Sequence, residues 1–173
     1  MRTLYAALVM IGISTIPVAT VAAPSKPKEA PAEPAEAQLP AEVKLYNEGV
    51  TLLRRLRFAE AQDKFAAALE INDEFAEAHN NLGYVLRKQD PENFEQALEH
   101  YNRAISLKPD LAEAYMYRGA LHVQMDNLEQ AEADLAQLEE MESDLAPELA
   151  YVIENGEEKA PPSFYGVSEA VED

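Results

Sequence analysis

Cysteine and tryptophan are missing from this chain of 173 residues, and positive charge is scarce. Without cysteine there is no disulfide, no thiolate metal site, no thiol nucleophile and no lipid-bearing cysteine of the bacterial kind. Fourteen Lys and Arg stand against 32 Asp and Glu, a formal net charge of −18. Phosphate contacts need basic side chains, and a field this negative repels polyanions, which argues against nucleic acid as a partner. The chain has no glycine-rich phosphate loop and no Gly-x-Ser-x-Gly elbow. Its three histidines, His79, His100 and His122, are 21 and 22 residues apart. None sits one helical turn from another, so no histidine-based metal pair is readable. Carboxylates are abundant, but nothing in the sequence singles out one acid/base pair among them. The chain is therefore expected to be no enzyme, with no cofactor and no metal.

What is present begins with two ends unlike the middle. The apolar fraction, 47%, is ample for a folded core. Residues 1–23 carry one charge, Arg2, then the apolar run Leu4 to Ile16, then Pro17 and small residues. That order is the pattern of a secretory signal, and it implies export, with a periplasmic destination. The alternative is an uncleaved anchor, since Leu4 to Ala23 is twenty residues and just spans a bilayer. Residues 24–41 hold five prolines mixed with Ala, Glu and Lys, the composition of an extended linker. Residues 157–173 are acidic, contain Pro161-Pro162 and the aromatic pair Phe164-Tyr165, and read as a disordered tail.

The middle repeats. Gly49, Gly83 and Gly119 are spaced by 34 and 36, and Ala61, Ala97 and Ala131 by 36 and 34. The two extra residues of the middle unit fall in the stretch Gln89 to Asn93, which reads as a loop. Each unit reads as two helices. In the first, Leu45, Gly49, Leu52 and Leu56 share one face, followed by Ala61, Phe65, Ala68 and Leu69. The second gives Leu82, Gly83, Leu86, then Ala97, Tyr101, Ala104; the third gives Tyr115, Gly119, His122, then Ala131, Leu135, Leu138. A glycine inside a helix is unfavourable by about 1 kcal/mol, which is tolerable where a second helix approaches closely against a facing alanine. Asn127 reads as an N-cap with Gln130 as its capping partner. Pro147 to Glu154 reads as a capping helix with the stripe Leu149, Val152, Ile153, ended by Gly156.

These residues resemble the tetratricopeptide repeat family, whose pattern is Trp-x2-Leu-Gly-x2-Tyr, Ala-x3-Phe and Pro in about 34 residues. The middle unit matches as His79-x2-Leu82-Gly83-x2-Leu86, Ala97-x3-Tyr101 and Pro109. In the first unit Glu48 and Asp73 depart from the pattern, and in the third Arg118 and Ser143. The resemblance implies an all-α fold, an α-solenoid of three helix-turn-helix repeats over residues 42–75, 76–111 and 112–145, with a capping helix over 146–156. His79 and His122 fall where the repeat packs an aromatic ring and read as packing residues.

The resemblance further implies that the first helix of each pair lines a concave groove that binds peptides. The helix face left over from packing carries Val43, Tyr46, Asn47, Val50, Leu53 and Arg54 in the first unit. The second carries Glu77, Asn80, Asn81, Tyr84, Arg87 and Lys88, and the third Glu113, Met116, Tyr117, Ala120, Val123 and Gln124. Asparagine side chains suit recognition of an extended backbone, and tyrosine offers apolar area with a polar tip. Arg54, Arg87 and Lys88 either favour an acidic ligand or complement the helix dipoles at whose C-terminal ends they sit. One subset of the family clamps the C-terminal carboxylate of chaperone peptides. Of the positions it uses, only Asn81 fits here, and Tyr46, Val50, Glu113 and Tyr117 do not, so no such clamp is expected. The candidate groove residues are thus Tyr46, Asn47, Val50, Arg54, Asn80, Asn81, Tyr84, Arg87, Lys88, Met116, Tyr117 and Gln124. The expected function is a scaffold of the bacterial envelope that grips a protein or peptide segment, with membrane contact only through an uncleaved signal. The alternatives are a structural protein that stacks on its own copies through Leu145 to Ile153, and an accessory or inhibitory subunit of an envelope enzyme.

Overall fold

A computed structural model describes residues 39–159. The signal read in 1–23, most of the linker and residues 160–173 lie outside the described residues. Seven helices and one 3₁₀ turn follow, and no strand occurs among the described residues. They are α1 (Ala41–Leu53), α2 (Phe58–Ile71), α3 (Ala76–Gln89), α4 (Phe94–Leu107), α5 (Ala112–Gln124), α6 (Leu128–Glu140) and α7 (Ala146–Asn155). The fold is an all-α repeat solenoid. Helices pair as α1–α2, α3–α4 and α5–α6, and successive pairs stack through α2 on α3 and α4 on α5. The first helices also touch one another, α1 against α3 and α3 against α5, and α7 closes the array on α5 and α6.

The periodicity explains the core. Ala61, Phe65 and Ala68 of α2, Ala97, Tyr101 and Ala104 of α4, and Ala131 and Leu138 of α6 are all buried. The two-residue insertion falls on Pro91–Asn93, a 3₁₀ turn where the Asp90 carboxylate accepts the Glu92 amide at 2.9 Å. Small residues meet large ones rather than each other. A Cβ on Gly49 would stand 2.6 Å from the Phe65 ring, and one on Gly119 would stand 2.5 Å from Leu149 of α7. Only Gly83 meets the expected alanine, through the Ala97 carbonyl oxygen at 3.1 Å, together with the Tyr101 ring.

Three local expectations are corrected. Leu56 is not on a packing face: α1 ends at Leu53, and Leu56 lies in the following turn with φ 59° and 55% exposure. The turn forms because the Arg57 amide reaches back to the Leu52 carbonyl (3.1 Å), a closure that needs a left-handed residue between them. The same closure recurs at Asp126 (φ 59°), where Asn127 N–H donates to His122 O, and at Glu142 (φ 53°), where Ser143 N–H donates to Leu138 O. Asn127 occupies the N-cap position of α6, but its side chain makes no capping bond there. Ala41, placed in the linker by composition, is the first residue of α1.

Arg118, which departs from the family pattern, has a structural task. Its guanidinium forks onto Asp134 of α6 at 2.6 and 3.1 Å and donates to Asn102 of α4 at 2.7 Å. Asp134 is 2% exposed, so this pair locks α5 to α6 beneath the surface of the third unit, and the exposed Asn102 bond reaches the second.

Candidate functional site

The candidate residues lie on the first helices, and the structure sorts them into two groups. One centres on α1 and α3. Tyr46 is fully buried, its ring 4.8 Å from that of Phe75 and 5.7 Å from that of Phe65. Asn81 donates to its hydroxyl at 3.1 Å and accepts from Asn80 at 3.2 Å, and both asparagines are buried. Val50 and Met116 belong to the same apolar core. The expectation that these five residues line an open groove is therefore corrected. Because α1, α3 and α5 touch side by side, a residue facing inward on one helix is covered by the next. The asparagine side chains read as backbone readers instead bond to each other and to a tyrosine. Asn47 is half-buried, and its carbonyl accepts the Thr51 hydroxyl at 3.0 Å. Arg54 is exposed at the C-cap of α1 and joins neither group.

The second group brings together Tyr84, Arg87 and Lys88 of α3 with Tyr117 and Gln124 of α5. The Tyr84 and Tyr117 rings are 4.8 Å apart. The Arg87 guanidinium carbon sits 5.6 Å from one ring centre and 5.7 Å from the other, and Lys88 Nζ lies 5.5 Å from that of Tyr84. Cations within about 6 Å of an aromatic face gain roughly 0.5–2 kcal/mol, more where water is excluded. Arg87 donates through Nη1 to Gln124 Oε1 at 3.2 Å.

The charge on these cations is met by a residue that the sequence reading assigned to a disordered tail. Glu158 accepts from Arg87 Nη2 at 2.5 Å, and its other oxygen accepts from Lys88 Nζ. Residues 157–159 are thus described, and Glu158 lies against the repeats. Tyr84 and Arg87 were expected on an open inner wall; they are 2% and 4% exposed, with Glu158 against the guanidinium. Burial alone would raise the Glu158 pKa. The Arg87 guanidinium and the Lys88 ammonium overrule it and hold the carboxyl below its usual value. Burial and the Glu158 charge push the Tyr84 hydroxyl up to about 12, so it stays a neutral donor.

A further group forms between α3 and α4. His79 and His100, unpaired by spacing, meet with Nδ1 atoms 2.9 Å apart. His79 Nε2 lies 3.0 Å from the Asp73 carbonyl, which can only accept, so Nε2 carries the proton. Its Nδ1 then accepts from His100 Nδ1–H. Single-helix spacing could not show this pair, because it forms across a hairpin. No group of three or more His, Asp or Glu placed to hold a metal occurs among the described residues.

Comparison with known proteins bears on the fold. A family model described as TPR repeat matches residues 92–126. The first tetratricopeptide repeat domain of Spaghetti (RPAP3), solved bound to the HSP90 peptide SRMEEVD, superposes with a TM-score of 0.60 at 20% identity. That match covers 66% of this chain and 91% of the other. Residues 92–126 thus match a tetratricopeptide repeat, and the fold is that of a tetratricopeptide-repeat solenoid. PcrH, solved in complex with the chaperone binding region of PopD, is similar to this repeat protein with a TM-score of 0.57 and 20% identity, covering 64% and 86%. In sequence, a UDP-N-acetylglucosamine–peptide N-acetylglucosaminyltransferase of Giardia intestinalis is 38% identical over 71 residues, 41% of this chain. The chain spans about 5% of that enzyme's length.

Proposed function

We propose that this repeat protein is a non-catalytic scaffold that binds a segment of another protein on the face formed by α3 and α5. One observation carries the reading: the cation-and-tyrosine cluster of Arg87, Lys88, Tyr84 and Tyr117 already holds a carboxylate presented by a non-helical stretch of polypeptide. What the site does for Glu158 it does for an acidic side chain of a partner. Two structural relatives of the same fold were solved with peptide segments of other proteins bound, which supports the same mode. The signal-like order of residues 1–23 supports action outside the cytoplasm, in a bacterial envelope, with an uncleaved anchor as the alternative form.

The burial of α7 favours this reading over stacking of copies through Leu145 to Ile153. Leu149 and Val152 are 0% and 3% exposed beneath the chain's own helices, and α7 spends its apolar stripe on capping α5 and α6.

Replacing Tyr84 and Arg87 would confound binding with folding, since both are buried. Photocrosslinking from exposed positions avoids this. A crosslinking residue at Gln124 on α5 should capture a discrete partner in the native envelope, and one at Glu99 on α4 should not. Capture from Glu99 alone, or equal capture from both, refutes binding on this face.

A further inference from the structure

The site just described is filled from within, and the way the chain reaches it is specific. Gly156 ends α7 in the left-handed conformation (φ 76°), its amide closing on the Val152 carbonyl at 2.8 Å. That turn sends the backbone back across the array. Lys159 then anchors on the α7 side, donating to Glu148 at 3.1 Å with its Nζ 4.9 Å from the Tyr151 ring centre. Between these two fixed points Glu158 reaches α3, some seventy residues away in sequence, and takes both cations.

The pairing differs from the others among the described residues. Arg57, Lys64, Lys108, Arg118 and Lys159 each pair with one carboxylate, whereas Arg87 and Lys88 share one between them. The site therefore keeps an excess positive charge in a chain of net −18. Arg87 Nε is also buried without a hydrogen-bond partner among the described residues. The stretch that follows Glu158 complements this. Residues 157–173 carry Glu157, Glu158, Glu169, Glu172 and Asp173 against the lone cation Lys159.

Resting on the reading that this face binds a protein segment, we propose that the stretch after α7 that carries Glu158 is this chain's built-in competitor. Glu158 is the anchoring carboxylate, and a partner segment enters only by placing its own Asp or Glu on Arg87 and Lys88. A tether of two residues beyond α7 keeps the competitor at an effective concentration on the order of millimolar, so only a partner that makes further contacts displaces it. The acidic tail thereby acts as a threshold for binding.

The test uses the full chain and its Glu158→Gln variant, with a fluorescein-labelled peptide of residues 155–173 as the probe in trans. Circular dichroism and the thermal midpoint first establish that the variant folds, as expected for a residue outside every helix. Glu158→Gln removes the charge and keeps the shape. The labelled peptide should then bind the variant at least tenfold more tightly than the unaltered chain, and a peptide that itself carries Glu158→Gln should lose that gain. Equal affinity for both chains overturns the proposal, and so does binding to neither. Either of those results leaves the Gln124 crosslinking free to show a partner on this face, so failure of self-occupancy is distinguishable from failure of the binding face.

Discussion

The contact between Gly119 and Leu149 is where the repeat array meets its cap, and it makes a quantitative prediction. A methyl on Gly119 would sit 2.5 Å from one Leu149 methyl and 2.8 Å from the other. Helix propensity favours Gly119→Ala by about 1 kcal/mol. Overpacking a fully buried site opposes it by roughly 1–3 kcal/mol. The Leu149 side chain is fully buried and α7 has only ten residues, so the cap shifts away more readily than it adapts. A net destabilisation of about 1 kcal/mol is expected. Leu149→Ala leaves a cavity and costs about 2–4 kcal/mol alone. In the double variant the new methyl occupies part of that cavity and the propensity gain is realised. The double variant should therefore be more stable than the sum of the single effects by about 1–2 kcal/mol. Urea unfolding followed by helical circular dichroism measures the cycle, with equal slopes in all four chains showing that the denatured states are comparable. Additivity within about 0.5 kcal/mol would refute the claim that this glycine exists for the cap's leucine.

Other substitutions follow from the same structure. Arg118→Leu strands Asp134 as a buried charge and should cost about 3 kcal/mol in urea unfolding, while Arg118→Leu with Asp134→Leu should recover most of that. Leu56→Gly relieves a left-handed side chain that is 55% exposed and should stabilise by about 0.5 kcal/mol or leave stability unchanged; a clear loss would show that Leu56 packs. Acid should weaken the fold through the histidines. Burial, with His79 beside it, lowers His100 from 6.5 to about 4, and burial also lowers His79. The unfolded chain then binds more protons than the folded one, so the stability from this pair is full above pH 6.5 and is lost as pH falls toward 4. Discounted for partial exposure, His100 contributes about 2 kcal/mol over that window. His100→Gln should flatten the slope of urea midpoint against pH between 6.5 and 4; an unchanged slope refutes the assignment.

The solenoid was legible because its signal is redundant. Gly49, Gly83 and Gly119 and the three alanines Ala61, Ala97 and Ala131 recur in phase, and any one element constrains the register of the others. Ends were less legible. The i, i+4, i+7, i+11 rhythm of α1 carries through Leu56 as though the helix continued, because no glycine marks the left-handed residue that closes it. Asp126 and Glu142 conceal two further closures in the same way. The glycines were found, but their partners were not. Alanine was inferred opposite each, whereas Phe65 and Leu149 fill the space at two of them, since a glycine admits whatever large group the neighbouring helix supplies.

The site was legible by identity and not by depth. A helical wheel gives direction, so Tyr46, Tyr84, Tyr117, Arg87 and Lys88 could be assigned to one side. Depth depends on the neighbouring helix and on what lies over it, and both are long-range facts. The α1–α3 and α3–α5 contacts turn Tyr46 and Tyr117 from lining into core, and Glu158 turns Arg87 from an exposed cation into half of a buried ion pair. The same distinction resolves an apparent conflict. A net charge of −18 argues against an acidic ligand if charge is summed over the chain. Solvent and salt screen that sum beyond about 8 Å at physiological ionic strength, whereas Arg87 meets its carboxylate at 2.5 Å with its side chain fully removed from solvent. Local geometry therefore decides what this face accepts, and the overall charge governs only how fast an acidic segment arrives. Two basic residues near a helix C-terminus complement the dipole in any protein. Here they also hold a carboxylate from a distant part of the chain, an arrangement that the dipole alone does not require.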